Sequence, residues 1–455
     1  MTEVTRTTTL PGKGSFARGV HPEDKKSISA ALGVEVLPAP ESVLIPLLQH
    51  IGAPCEPTVK PRTEVALGDV VGDAKAFVSV PVHATVDGKT AAPTVTTLPN
   101  GRHVAAIPIA ANPDGQRLSG AALWADVYGG DWPVDGLEAY GEEQIIESVR
   151  AAGIAGMGGA AFPTHVKLKR NPERPVETLI VNGCECEPYL TADYRLMLEA
   201  PAPIVTGALL AARAAGAGQV LIAIEDNKPD AVSAMRAAVE GTGISVVVVH
   251  TKYPMGGERQ LIPAVMNREV PTGGLPLDVG VVVVNVATVA AIARAVLRGK
   301  PLTHRLISVT GEGIVQPKNL LVPIGTPYAD LVAFCGGLGP DAARVISGGP
   351  MMGFALAELS VPVTKGTSGV VVLTADQVRR AEETACIRCG RCVDVCPLGL
   401  VPTRIALSVR NQDWQAARRY YVSACCECGC CGYVCPAKIP LVQLIRTGKA
   451  QAPKA

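Results

Sequence analysis

Two stretches of this chain repeat one pattern: cysteine, two residues, cysteine, two residues, cysteine, three residues, cysteine, proline. The first is Cys386, Cys389, Cys392, Cys396 and Pro397; the second is Cys425, Cys428, Cys431, Cys435 and Pro436. No other feature constrains the fold as tightly, because this spacing is the one in which thiolates close on [4Fe–4S] clusters. The x2 spacing lets three thiolates wrap one set of irons. Gly390 and Gly429 keep each loop tight, and the proline stops it after the fourth ligand.

In this spacing the fourth cysteine of each run crosses to the other cluster. Cys386, Cys389, Cys392 and Cys435 are therefore expected on one cluster, and Cys425, Cys428, Cys431 and Cys396 on the other. A pair of zinc sites is the competing reading. Zinc favours two C-x2-C pairs over three cysteines plus a distant fourth followed by proline. Cys426 and Cys430 are spare and read as small buried residues. Ten of the 14 cysteines lie between Cys386 and Cys435, which marks a separate C-terminal domain.

The remaining sequence belongs to a multidomain α/β chain. Its 455 residues suggest about three domains of ordinary size. Aromatics are only 4%, so the cores are expected to be aliphatic. With 42 basic and 41 acidic residues, no electrostatic argument exists for nucleic acid or an anionic bilayer. Met1–Leu10 is polar and Thr-rich, which predicts no secretory leader. The most apolar stretch, around 279–297, is interrupted by Asn285 and Arg294 and is too short to span hydrocarbon. Without a leader, the cysteines point to metal ligation in a reducing compartment.

Residues 1–35 read as a loosely structured N-terminal segment. From 36 to 115, short β-rich runs broken by Pro and Gly predict a small β barrel-sandwich, with Asp87-Gly88 as a hairpin turn. From 136 to 300, strands alternate with helices, which predicts a parallel α/β sheet. Expected strands lie at 177–182, 219–225, 244–250 and 279–284, and expected helices at 142–152, 202–215, 228–240 and 286–297. Residues 301–365 read as a small α+β module. Residues 375–445 form the cysteine domain, with a helical stretch at 400–419 between the runs.

Four turns at the sheet's strand ends carry polar or glycine-rich strings. Gly153-Ile-Ala-Gly-Met-Gly-Gly-Ala-Ala-Phe-Pro-Thr164, with Lys167 beyond it, lets backbone N–H groups approach phosphate. It is not the dinucleotide G-x-G-x-x-G placed after a strand. Val181-Asn-Gly-Cys-Glu-Cys-Glu-Pro-Tyr189 directly follows a buried strand. Tyr253-Pro-Met-Gly-Gly-Glu-Arg259 and Asn285-Val-Ala-Thr288 also follow strands. Open α/β sheets bind ligands at the carboxyl ends of their strands, so one shared ligand site is expected there. Cys184 and Cys186 lack partners for a metal site.

These strings resemble the flavin-binding subunit of respiratory complex I. Its G-x-G-G-A-x-F-P-T-x-x-K motif is met by Gly156, Gly158, Gly159, Ala160, Phe162, Pro163, Thr164 and Lys167. Its N-A-D-E-x-E-P motif is met by Asn182, Glu185, Glu187 and Pro188, with Cys184 in place of the Asp. Its G-E-E motif is met by Gly257 and Glu258, with Arg259 in place of the second Glu. Its N-V-E-T motif is met by Asn285, Val286 and Thr288. The resemblance implies that Gly156, Gly158, Gly159, Lys167, Asn182, Glu185, Gly257, Glu258, Asn285 and Thr288 bind FMN. Phe162 and Glu187 would face NADH. The 301–365 module is similar to the β-grasp (SLBB) module of that subunit.

Over nearly its whole length the chain resembles the RnfC proteins of Rnf electron-transport complexes. The shared strings include Phe16-Ala-Arg-Gly-Val-His-Pro-Glu-Asp-Lys-Lys26 and the lipoyl-like Ser79-Val-Pro-Val-His-Ala-Thr-Val-Asp-Gly88. The resemblance implies an electron-input enzyme that oxidises NADH, or reduces NAD, through FMN and two [4Fe–4S] clusters. The implied partners are membrane subunits and a ferredoxin-type iron–sulfur subunit, at the cytoplasmic face of the inner membrane. Two alternatives stay open: a soluble flavin and iron–sulfur cobalamin reductase, and a non-enzymatic ferredoxin-like adaptor.

Overall fold

The structure is a computed structural model that describes residues 11–113, 118–378 and 382–452. The expectation for Met1–Leu10 lies outside the described residues.

Four strands form the parallel sheet, in the order Ser245–Val249, Gln219–Glu225, Thr178–Asn182, Val281–Asn285. All four are Val- and Ile-rich because helices and chain cover both faces. Side chains alternate between two cores. Leu179, Val181, Ile222, Ile224, Val282 and Val284 pack with the helices Glu142–Ala151, Pro201–Ala215 and Val286–Arg298. Ile180, Leu221, Ala223, Val247, Val281 and Val283 pack with the helix Glu258–Met266. The helices Pro201–Ala215 and Val286–Arg298 meet so closely that a side chain at Gly207 would run into Val289 O. Three helices of this domain, Thr164–Leu168, Ala192–Glu199 and Glu258–Met266, go beyond those expected from periodicity.

The barrel-sandwich lies N-terminal to this sheet. A five-stranded antiparallel sheet, including Ser42–Pro46, Gly88–Thr90 and His103–Ala111, faces a three-stranded one of Glu56–Pro57, Val70–Asp73 and Val82–His83. Val43, Ile45, Val71, Val82, Ile107 and Ile109 fill the space between. Asp87-Gly88 is not the expected hairpin turn. Val82–His83 pairs in the small sheet while Gly88–Thr90 pairs in the large one, so the chain changes sheets here. Gly88 is needed for close approach to Ala110, whose carbonyl fills the Cβ position.

The SLBB-type module is one six-stranded sheet: Val34–Val36, Lys318–Pro323, His304–Thr310, Gly369–Thr374, Ala342–Ser347, Phe354–Ala355. Both expected boundaries move. The sheet extends past 365 through Gly369–Thr374, and it recruits Val34–Val36 in parallel to Asn319–Leu321. The N-terminal segment is therefore not loose from residue 11 onward. Gly12 N and Gly14 N donate to Val265 O and Ala264 O, Val20 bridges Tyr253, and Lys26 and Ser29 are buried.

In the cysteine domain each run enters a four-residue helix, Arg391–Asp394 or Cys430–Tyr433, through Gly390 or Gly429 at φ 79° and 84°. The expected helical stretch at 400–419 is two helices, Pro402–Arg410 and Trp414–Arg419, broken where Gln412 takes φ 57°. Leu441–Gln451 packs on the first through Ile405, Val409 and Ile445. Among the described residues no single helix is long and apolar enough to cross a membrane.

Candidate functional site

The parallel register pairs Asn182 with Asn285 at the carboxyl edge of the sheet. Asn182 Nδ2 donates to Gly256 O at 2.8 Å, and its Oδ1 accepts from Cys184 N at 3.1 Å. Asn285 Oδ1 caps the following helix by accepting from Ala287 N at 2.9 Å. Its Nδ2 donates to Asp193 Oδ2 at 2.6 Å.

The glycine-rich loop lies over this edge. Met157 N donates to Thr288 Oγ1 at 3.0 Å, and Gly156 N to Phe162 O at 2.9 Å. A Cβ at Gly158 would stand 2.9 Å from Asn285 Nδ2, whereas one at Gly159 would meet nothing within 4 Å. The N–H groups of Gly158, Gly159 and Ala160 have no partner among the described residues. Three consecutive free donors on an open backbone form a cradle for an anion such as a phosphate. Lys167 and Glu258 close the ring with an ion pair of 3.2 Å. Gly257 caps the helix that Glu258 begins, and that helix's N-terminal dipole favours the carboxylate. Beneath the loop, Arg305 is only 2% exposed and meets no carboxylate partner among the described residues; its guanidinium donates to Thr367 O at 2.9 Å and Met157 O at 3.3 Å.

The acidic turn divides its two glutamates. Glu185 Oε1 and Oε2 accept from Asp193 N at 2.7 Å and Tyr194 N at 3.2 Å, which satisfies the first turn of the helix Ala192–Glu199. Glu187 bonds to a different part of the chain. Its oxygens accept from Met351 N at 3.0 Å and Met352 N at 2.8 Å, in the SLBB-type module. Burial raises the Glu187 pKa to about 7. Asp193 is also raised to about 7, by burial and then by Glu185.

Lysines hold this turn from beneath. Lys26 Nζ donates to Glu185 O, Glu187 O and Leu190 O at 2.8, 3.0 and 2.6 Å. Lys228 Nζ donates to Cys184 O at 2.6 Å and pairs with Glu225 at 3.0 Å. Asp193, Lys26 and Arg305 were not singled out from sequence. The signal for Lys26 was present in the His21-Pro-Glu-Asp-Lys-Lys26 string. Asp193 sat in a helix with no strong apolar period.

Both departures from the complex I motifs find structural roles. Cys184 is fully buried and packs with Ile180, Leu221 and Met255, and burial pushes its thiol well above the ordinary range. Arg259 donates to Val270 O, Pro271 O and Gly274 O at 3.2, 3.0 and 2.6 Å, so it braces the 270–274 loop. Phe162 is half-buried within the glycine loop.

In the C-terminal domain, Cys396, Cys425, Cys428 and Cys431 line one cavity with Leu400, Ile405 and Ile445. Cys386, Cys392 and Cys435 gather with Ala406, Ile439 and Leu441, while Cys389 is exposed. Thus Cys396 lines the cavity of the second run, and Cys435 gathers with Cys386 and Cys392 of the first run and with Cys431 of its own. Cys430 is fully buried, its Sγ 4.0 Å from Tyr253 O. Tyr253, in the third strand-end string, donates its hydroxyl to Cys428 O at 2.7 Å and so joins the sheet edge to the second run.

An anion cradle at a parallel sheet edge, joined to paired four-cysteine runs, defines an iron–sulfur flavoprotein of electron transfer. Residues 14–116 match the RnfC barrel sandwich hybrid domain, 149–294 the Nuo51 FMN-binding domain, 306–355 the SLBB domain and 385–440 the 4Fe-4S dicluster domain. The chain is 44% identical, over 96% of its length and 94% of the relative's, to the RnfC-type component of the proton-translocating ferredoxin:NAD(+) oxidoreductase complex of Clostridium ljungdahlii. It is 43% identical, over 96% and 97%, to the corresponding component of the Na(+)-translocating ferredoxin:NAD(+) oxidoreductase complex of Acetobacterium woodii. A solved NAD+-reducing [NiFe]-hydrogenase chain shares the fold at TM-score 0.50 and 21% identity, over 71% of this chain and 65% of that one. The chain belongs to the RnfC family, a component of ion-translocating ferredoxin:NAD(+) oxidoreductase complexes. Its cofactors are FMN and two [4Fe–4S] clusters.

Proposed function

We propose that this chain exchanges electrons between NAD(H) and the other subunits of an ion-translocating membrane complex, by way of FMN and the two clusters. The observation that carries this reading is the contact of Tyr253 with Cys428, which sets the candidate flavin edge against a cluster loop. When bound, FMN takes two electrons as a hydride and releases them singly, which is the chemistry that connects a nicotinamide to one-electron clusters.

The chain's own residues bind and orient. The free N–H groups of Gly158 and Gly159 receive the FMN phosphate, and Gly156 keeps the loop turned. Lys167, paired with Glu258 at 3.2 Å, would neutralise phosphate charge when FMN is bound, and Arg305, bonded to Met157 O, would add positive charge behind the loop. Asn182, Asn285, Thr288 and Gly257 set the shape of the ring-binding edge, with Glu185 acting through the Asp193 helix. Phe162, half-buried within the glycine loop, would face the nicotinamide. Glu187 fixes the acidic turn to the Met351–Met352 backbone, a positioning role. Cys386, Cys389, Cys392 and Cys435 hold one cluster; Cys425, Cys428, Cys431 and Cys396 hold the other.

The partners are membrane subunits and a ferredoxin-type iron–sulfur subunit of the same complex. The site of action is the cytoplasmic face of the inner membrane, with the chain bound peripherally. An anaerobic optical spectrum of the isolated protein, before and after NADH, tests the reading. Flavin and cluster absorbance that both bleach are expected. Flavin that is absent, or indifferent to NADH, refutes it.

A further inference from the structure

The glycine loop is a hairpin. Its arms pair at Ala155 and Pro163, and Thr164 N donates to Ile154 O at 3.1 Å. Gly158, Gly159 and Ala160, with their free N–H groups, lie at its tip. A turn of the SLBB-type module, Thr364-Lys-Gly-Thr367, runs along this hairpin. The turn closes on itself: Thr367 N donates to Thr364 O at 3.1 Å, and Thr364 N to Thr367 Oγ1 at 3.0 Å. At the base of the hairpin, Lys365 Nζ donates to Gly153 O at 2.6 Å. Near the tip, a Cβ at Gly366 would stand 3.3 Å from Ala161 Cβ. Thr367 O accepts from the Arg305 guanidinium, which also reaches Met157 O. The same lysine ties the turn to the barrel-sandwich. Its Nζ donates to Pro81 O at 2.6 Å, and its backbone N to Gln49 Oε1 at 3.1 Å. Ile51 N, also of the barrel-sandwich, donates to Ala161 O at 3.2 Å.

Lys365 is 1% exposed, and no carboxylate among the described residues pairs with it. Burial lowers its pKa to about 7. A buried ammonium without a counter-charge is costly, so a methionine would fill the space at less expense. What the ammonium adds is donors for two buried carbonyls that belong to different domains. Gly153 lets these groups meet: a Cβ there, at φ 67°, would fall 2.5 Å from Pro81 O and 2.6 Å from Lys365 Nζ. We propose that Lys365 is a positioning residue for the FMN phosphate, holding the glycine hairpin against its own turn and the barrel-sandwich and so placing the three free N–H groups. This assignment rests on the flavin reading of the site. It gives the barrel-sandwich a share in flavin binding. Asn182 and Asn285, on the sheet, are held by contacts of their own. Loss of the lysine should therefore weaken the hold on the phosphate and spare the ring.

The test uses the full chain with its clusters in place, freed of flavin. It is titrated anaerobically with FMN and, separately, with riboflavin, which has the ring and lacks the phosphate. Flavin fluorescence gives both dissociation constants. Lys365→Met keeps the length of the side chain and removes its donors. Its FMN Kd should rise about ten- to 100-fold, the worth of one hydrogen bond to a charged group. Its riboflavin Kd should stay within about twofold of wild type.

Gly366→Ala leaves Lys365 in place and presses on the hairpin at Ala161, so it decides the matter even where Lys365→Met does not fold. Its FMN Kd should rise and its riboflavin Kd should not. A residue that merely stabilised the fold would weaken both flavins alike. Equal or greater loss for riboflavin, or no loss for FMN, overturns the proposal. Wild-type protein that takes up neither flavin would sink the functional reading instead, whatever the variants do.

Discussion

Gly158 and Gly159 are adjacent in sequence and opposite in surroundings, which makes alanine at each a discriminating probe of the cradle. A Cβ at Gly158 falls 2.9 Å from Asn285 Nδ2, 3.0 Å from its Cβ and 3.1 Å from its Cγ. Carbon contacts are comfortable at roughly 3.5–4.0 Å, so either the loop or Asn285 must shift. Asn285 is pinned at both ends, by Ala287 N and by Asp193. The loop will therefore lift, with overpacking of about 1–3 kcal/mol. If that strain falls on the flavin complex, FMN affinity drops about five- to 150-fold, since 1.4 kcal/mol is about tenfold. Gly159→Ala has nothing to strike in the protein, so its thermal midpoint should match wild type. Its methyl still enters the phosphate cradle and should raise the FMN Kd. Equilibrium titration of deflavinated protein by flavin fluorescence, beside thermal unfolding, separates the two. Gly158→Ala should lose stability and affinity together, Gly159→Ala affinity alone. Unchanged FMN affinity in both would refute the cradle. Equal destabilisation by both would refute the geometry.

Lys26→Met orphans three carbonyls of the acidic turn. Burial already lowers the Lys26 pKa, so relief of that burial offsets part of the loss. A net destabilisation of about 2–4 kcal/mol is expected in urea unfolding, and no change would contradict the assigned contacts. Glu187 binds its proton more tightly folded, with a pKa of about 7 against an ordinary 4.5. Its contribution to stability is present below 4.5 and is lost as pH rises through 7. Glu187→Gln should flatten that slope in thermal midpoints taken from pH 5 to 8; an unaltered slope counts against the buried carboxyl. Arg259→Glu restores the acid of the complex I motif but removes three bonds to the 270–274 loop. Limited proteolysis should open that loop, with about 1–3 kcal/mol of stability lost. A loop as resistant as wild type would show that the guanidinium does not brace it.

The central sheet was legible because buried parallel strands are runs of Val and Ile, and because three of the four were followed by a polar or glycine-rich string. Those strings do lie along one edge. The three missed helices had weak signals: Thr164–Leu168 and Ala192–Glu199 are short, and Glu258–Met266 carries Pro263 in its interior. Asp87-Gly88 misled because local turn chemistry cannot report that a chain is changing sheets. What the sequence hid was mostly long-range. Glu185 and Glu187 look equivalent in Glu-Cys-Glu, yet one caps a helix and the other reaches Met351 and Met352. Arg259 reads as a lost acid, and only the position of the 270–274 carbonyls shows it as a brace. Strand Val34–Val36 was invisible because three residues carry no period, and its partner lies far along the chain.

The N-terminal segment has a consequence for how the molecule is made. Its partners come late in synthesis: Tyr253 for Val20, Asn319 for Val34, and Val393 for Arg18, which is 375 positions away. Such distant pairings close slowly, because a long intervening loop must first be ordered. Gly12, Gly14, Val20 and Lys26 find their partners in the α/β domain and Val34 in the SLBB-type module, whereas Arg18 and Gly19 wait for Val393 and Val395, in the last domain to be made. Docking of residues 11–36 can therefore begin on the sheet and is complete only when the first cysteine run has been made.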